Sequence, residues 1–159
     1  MQAIFPFKLF CVGKPNLEFA KETFARRVIK KTGGWHQDAI HAAMIGERDS
    51  AMRDLISNAR SWNKKFKFPA FWGPNYDWTP DQCHGGVISI ALQKMLLQNR
   101  GKKILLLPAW PSHWDVKFKL HAPFQTTVKA SVKRGKLVES EVVPAFRMGN
   151  IKFYPDLEK

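Results

Sequence analysis

The sequence predicts an α+β protein whose helices and strands are segregated along the chain. Apolar residues recur at helical spacing up to about residue 100, and β-branched, alternating residues take over after Gly101. Within that second part, Arg134-Gly135 separates two alternating runs as a two-residue hairpin turn. The expected organisation is a helical part over 1–100 and an antiparallel β part over 101–159, forming a small sheet or part of a β-sandwich. With 159 residues, 45% of them hydrophobic, the chain can bury a core.

The first helix is expected over Leu17 to Arg26, with Asn16 as N-cap and Phe19, Ala20, Thr23 and Phe24 on one stripe. Its acidic residues come early and its basic ones late, as the helix dipole favours. After the Gly33-Gly34 break, His36 to Ile45 is apolar almost all round and reads as a more deeply buried helix. Asp49 to Arg60 follows across the short Gly46-Glu47-Arg48 link, with Met52, Leu55, Ile56 and Ala59 at i, i+3, i+4 and i+7. A buried helix followed closely by an amphipathic one is a helical hairpin, the inner-and-outer unit of α/α barrels. A last helix is expected from Val87 to Gln98, starting after Gly85-Gly86.

In the β part, Lys103 to Leu107 is a short buried strand ended by Pro108, and Trp110-Pro111 with Trp114-Asp115 forms an aromatic turn. Val116, Phe118 and Leu120 alternate with Lys117, Lys119 and His121, one face in and one out. Thr126 to Lys133 and Lys136 to Val143 flank the hairpin turn, and a final strand lies near Ile151 to Tyr154. Trp110 and Trp114 read as core of this layer.

The net charge of +13 raises a nucleic-acid reading, but the basic residues are scattered over element ends and turns rather than along one helix face. No nucleic-acid partner is therefore expected. No apolar run reaches the ~20 residues that span a bilayer, and no membrane association is expected either. The opening residues carry no export signal; a secreted or periplasmic parent would carry one upstream of Met1. Cys11 and Cys83 read as free thiols, without zinc spacing, and neither a metal nor another cofactor is expected. A nucleophilic role for Cys83 lacks a base beside it.

Residues 71–86 concentrate chemistry: Trp72, Asn75, Tyr76, Asp77, Trp78, Asp81, Gln82, Cys83 and His84 stand between Pro and Gly residues, directly ahead of an apolar helix. A pyranose has an apolar C–H face that stacks on Trp or Tyr and a hydroxyl rim that bonds Asp, Asn, Gln and His. A carboxylate set among such groups can act on a glycosidic bond. The bland alternative is an aromatic loop packed against one helix end. Trp35 and His36 open the buried helix, and His36 and Asp38, two positions apart, do not share a helix face, so at most one points inward.

Four segments carry a resemblance: Thr32-Gly33-Gly34-Trp35, the loop from Phe71 to Gly86, Ala91-Leu92-Gln93-Lys94-Met95-Leu96-Leu97-Gln98, and Ile104-Leu105-Leu106-Leu107-Pro108-Ala109-Trp110-Pro111. In that order and spacing the chain resembles the carboxyl-terminal end of six-hairpin glycosidases, most closely glycoside hydrolase family 95, the α-L-fucosidase and α-L-galactosidase group. The resemblance implies the last helical hairpins of an (α/α)6 barrel followed by β-sandwich strands. It also implies inverting hydrolysis by a glutamic acid and a water-activating aspartate.

The family aspartate lies in a Gln-Ile-Asp-Gly-Asn-Phe-Gly-Gly motif, and counting back from Gly85-Gly86 puts Asp81 in its place. Gln82, Cys83 and His84 depart from the motif, which sets this chain in a divergent branch. By the resemblance Asp81 is the catalytic carboxylate, with Asp77 as its rival; Trp35, His36, Trp72, Asn75, Asp77, Trp78 and His84 are the candidate substrate contacts. The family's acid glutamate lies upstream, so the chain is expected to be inactive alone. Its expected partners are a glycan and the rest of the barrel or a second chain. Rival readings are a non-catalytic carbohydrate-binding module and a basic nucleic-acid-binding domain.

Overall fold

A computed structural model describes residues 1–61 and 83–154. Among these residues the protein is mixed α+β. Helices α1 (Leu17–Arg26), α2 (Asp38–Ile45), α3 (Arg48–Arg60) and α4 (Cys83–Leu96) come first. They are followed by β1 (Leu97–Arg100), β2 (Lys103–Leu106), β3 (Val116–Ala122), β4 (Thr126–Lys133), β5 (Lys136–Val143), a 3-10 helix (Ala145–Asn150) and β6 (Ile151–Phe153).

The α1 helix has the bounds its periodicity predicts, but two of its details differ. Asn16 precedes it in a left-handed conformation (φ 60°) with no side-chain cap hydrogen bond, so it does not cap. Of the expected stripe only Ala20 and Phe24 are buried; Phe19 is 67% exposed and meets the Phe10 ring at 6.0 Å. All eight residues of α2 are buried, as its apolar composition requires. Gly46 ends it at φ 80°, a conformation a side chain would resist, and donates its N–H to Ala42 and Ala43.

The α2–α3 hairpin forms as expected, but the buried stripe of α3 is Ala51, Asp54, Leu55 and Asn58. Ala59 is exposed, and Met52 and Ile56 only flank the interface. The small Ala51 faces inward because it allows α3 to approach α2 closely, a preference that apolar periodicity does not register.

Among the described residues α4 is already helical at Cys83, four residues before the expected Val87, and it runs through Gly85 and Gly86, where an added Cβ would meet open space. It stops at Leu96, because Leu97 to Arg100 pair antiparallel with Leu106 to Lys103 around the left-handed Gly101 (φ 54°). Helix gives way to strand here, ahead of the expected seam.

The first sheet, in the order β1-β2-β6, contains a parallel pair, Ile104 opposite Ile151 through Leu106 opposite Phe153. That differs from the wholly antiparallel layer expected, because the 3-10 helix carries the chain back before β6 begins. The second sheet, β3-β4-β5, is antiparallel, with Arg134 (φ 49°) and Gly135 (φ 73°) turning the hairpin at the expected place.

Arg147 ties the sheets together. It is buried and donates to Thr126 Oγ1 at 3.1 Å, Asn150 Oδ1 at 2.7 Å and the Lys102 carbonyl at 3.0 Å. One hydrophobic cluster runs from Ile4 and Phe24 through Met44 and Met95 to Val128 and Val142, so helices and sheets share a core.

The α2 and α4 helices meet at their ends. Gln98, just past α4, donates to the Ala43 carbonyl near the end of α2 at 2.7 Å, and the two helices pack together. Their C-terminal ends therefore meet.

Candidate functional site

At the N-terminal end of α2 lie Trp35 and His36, and His84 lies in the first turn of α4. Gly33 (φ 117°) and Gly34 (φ 51°) are buried in conformations open to glycine, and His36 N–H closes the turn onto the Gly33 carbonyl at 3.1 Å. The turn throws Trp35 outward. Its ring is 55% exposed and stacks on His36 with 4.9 Å between centroids and 16° between planes. His36 is half-buried, whereas Asp38 is buried, so one of the two points inward, as their spacing requires. His84 is buried on the same stripe of α4 as Val87, Ala91 and Met95. Trp72, Asn75, Asp77, Trp78 and Asp81 lie outside the described residues.

Beside this end, a cleft of about 710 Å³ opens between α1, α2 and α3. Glu18, Glu22, Asp38, Glu47 and Asp54 face it, five of the chain's thirteen carboxylates, with Lys21, Arg27, Lys30, Lys31 and Arg53 among them. In a chain of net charge +13 the cleft is thus locally balanced and suits a hydroxyl-rich ligand better than a polyanion.

Two carboxyl groups anchor it differently. Asp38 Oδ1 accepts from Arg27 Nε at 2.6 Å, and Arg27 also donates to the Phe24 carbonyl at 2.6 Å while its guanidinium covers the Phe24 ring at 3.6 Å. Asp54 accepts from Arg53 at 3.3 Å through Oδ1; its buried Oδ2 has no partner among the described residues. Burial, reinforced by the nearby Asp38, pushes the Asp54 carboxyl above the ordinary carboxylate range, against the opposing pull of Arg53 and Arg27. Asp54 and the Arg27-paired Asp38 thus share one cleft wall.

Sequence reasoning did not find Asp54. The visible signal was an acid at an inward helical position of α3, which the apolar pattern overrode.

His41 lies one turn into α2 beneath the amino-terminal segment. Burial drives its pKa from 6.5 down to about 4, opposed by Asp38 and a hydrogen bond to the Phe5 backbone and assisted by the Met1 ammonium and Arg27. It is a neutral core histidine. Cys11 is a buried free thiol, and Cys83 is exposed. Among the described residues no group of three or more His, Cys, Asp or Glu side chains is placed to hold a metal ion, and no helix is long and apolar enough to cross a membrane. No protein-family model matches the chain, and no curated protein matches it.

Proposed function

We propose that this chain is the carboxyl-terminal part of an inverting, exo-acting glycoside hydrolase of the six-hairpin type, resembling the α-L-fucosidase and α-L-galactosidase group. One arrangement carries the reading. Trp35 and His36 present a ring platform at the entry to α2, α2 packs against α4, and Asp81 lies two residues ahead of Cys83 in the chain. The wholly buried α2 with the amphipathic α3 behaves as an inner-and-outer hairpin, and β layers follow, as in an (α/α)6 barrel with a sandwich.

In this reading Asp81 polarises the attacking water, directly or through an amide, while Trp35, Trp72 and Trp78 offer faces to the sugar. His36, Asn75 and Asp77 bond its hydroxyls, while His84, expected among these contacts, is buried on the inward stripe of α4. Inversion needs a second carboxyl ~6.5 to 9.5 Å away to protonate the leaving oxygen, and the resemblance assigns that group to a glutamate upstream of this chain. The chain alone then binds glycan without turning it over. The exposed Trp35 ring also favours a second reading, a binding module without catalysis.

The test is to express the chain joined to its upstream reading frame and assay aryl α-fucosides and α-galactosides, following the anomer released. The proposal expects an inverted product and a loss of orders of magnitude in kcat for Asp81→Asn with folding intact. A retained anomer, or near-normal turnover in that variant, overturns it. Binding without turnover by the joined protein supports the binding module instead.

A further inference from the structure

The outer face of the β3-β4-β5 sheet carries an arrangement that the helical half does not explain. Pairing sets two rows across it: Lys119 opposite Lys129 opposite Glu141, and Lys117 opposite Ser131 opposite Glu139. The other face, with Val128, Ala130, Val132 and Val142, is buried. A groove of about 440 Å³ runs over the outer face between these rows, and a second of about 410 Å³, sharing Lys117, continues it past Ser131 to Lys133.

Like charges directly opposite each other destabilise a strand pair, and Lys119 faces Lys129 in that way. Only Lys129 is relieved, by Glu141 at 2.8 Å; among the described residues no carboxylate pairs with Lys117 or Lys119, and no cation pairs with Glu139. The groove therefore holds unpaired cations along one edge and a carboxylate acceptor along the other. A ligand that answers both must bring anions for the lysines and hydroxyl donors for the glutamates.

We infer that this sheet face binds an acidic glycan, a sugar chain bearing sulfate or carboxylate groups. Its anions meet Lys117, Lys119 and Lys129, and its ring hydroxyls donate to Glu139 and Glu141. Duplex DNA fits poorly. Its backbone has no hydroxyl to offer Glu139 and Glu141, and its phosphates would be repelled by these carboxylates across the groove. The inference stands whether or not the helical half is catalytic.

The experiment is titration of the whole chain with chondroitin sulfate, polygalacturonate, neutral dextran and a short DNA duplex at two salt concentrations. Expected are salt-sensitive binding to one or both acidic glycans, with the sulfated and carboxylate arms identifying the anion, and none to dextran. Lys119→Ser with Lys129→Ser should weaken acidic-glycan binding about fivefold or more and flatten its salt dependence. Removing Lys102 and Lys103, exposed where the turn enters β2 and outside both grooves, by the same substitution should leave it nearly unchanged.

Neutralising the edge by Glu139→Gln with Glu141→Gln separates the ligands. Glycan affinity falls if the carboxylates accept hydroxyls, while DNA affinity rises from the added net charge. No binding to either acidic glycan, equal losses in the two lysine pairs, tighter binding to DNA than to glycan, or glycan affinity that rises in the glutamine variant would each overturn the inference.

Discussion

Gln98 and Ala43 lie 55 residues apart in the chain, yet the Gln98 side-chain amide donates to the Ala43 carbonyl at 2.7 Å. The same nitrogen donates to the Lys94 carbonyl at 3.0 Å, and Gln98 Oε1 accepts from Arg100 at 2.7 Å. This fully buried amide thus joins the end of α2, the end of α4 and the first strand. It thereby fixes where the two helices meet at their C-terminal ends.

Gln98→Ala should accordingly destabilise the fold by about 2 to 3 kcal/mol, since it leaves a buried carbonyl and the Arg100 guanidinium short of partners. Urea unfolding checks this: the midpoint should fall with the slope unchanged. A midpoint within error of wild type would show that the junction is held elsewhere.

The Arg27 and Asp38 side chains are only 13% and 11% exposed, so removing one leaves a buried charge unanswered. Asp38→Asn should cost about 3 kcal/mol or more, and the double change Arg27→Met with Asp38→Asn should cost less than Asp38→Asn alone. Additive losses in the cycle would deny the coupling.

Acid sensitivity should trace to His41. Its folded pKa of about 4 lies below the ordinary 6.5, so between those values the unfolded chain binds the extra proton. Stability is then fully present above pH 6.5 and falls as pH drops toward 4, by roughly 3 kcal/mol in total. Asp54, with its carboxyl raised, works in the opposite sense, contributing stability at low pH that is lost as pH rises through its folded pKa. Urea midpoints measured from pH 7 to 4 should show the decline in wild type and a much shallower one in His41→Leu; an identical slope in the two would exonerate this histidine.

Gly46→Ala should destabilise by about 1 to 2 kcal/mol. The position sits at φ 80°, and an added Cβ would come 3.1 Å from Val12 Cγ2. A thermal melt reads it out, and an unchanged melting temperature would mean that the α2–α3 turn adjusts freely.

Elements built from local periodicity and turn chemistry were readable in the chain. The α1 bounds, the deep burial of α2, the hairpin at Arg134-Gly135 and the alternation of β3 all follow from neighbours within a few residues. Trp110 and Trp114 belong to the core layer as their setting suggests: they meet edge to face at 5.4 Å, and Trp110 Nε1 donates to the Trp114 carbonyl at 2.9 Å. Of the candidate site, Trp35 at its glycine turn and the inward Asp38 were within reach of the same reasoning.

Other features depend on partners distant in sequence. Leu97 and Gln98 continue a helical pattern, but pairing with Leu105 and Leu106 draws them into β1, because strand hydrogen bonds to a buried neighbour outweigh a weak local preference. The inward turn of Asp54, the cleft it lines and the cationic rows across β3, β4 and β5 arise in the same way, from which face packs inward and which strand lies opposite. Side-chain type and spacing specify what each element is; where its faces point is a property of the assembled core, since burial is shared among residues that the chain keeps far apart.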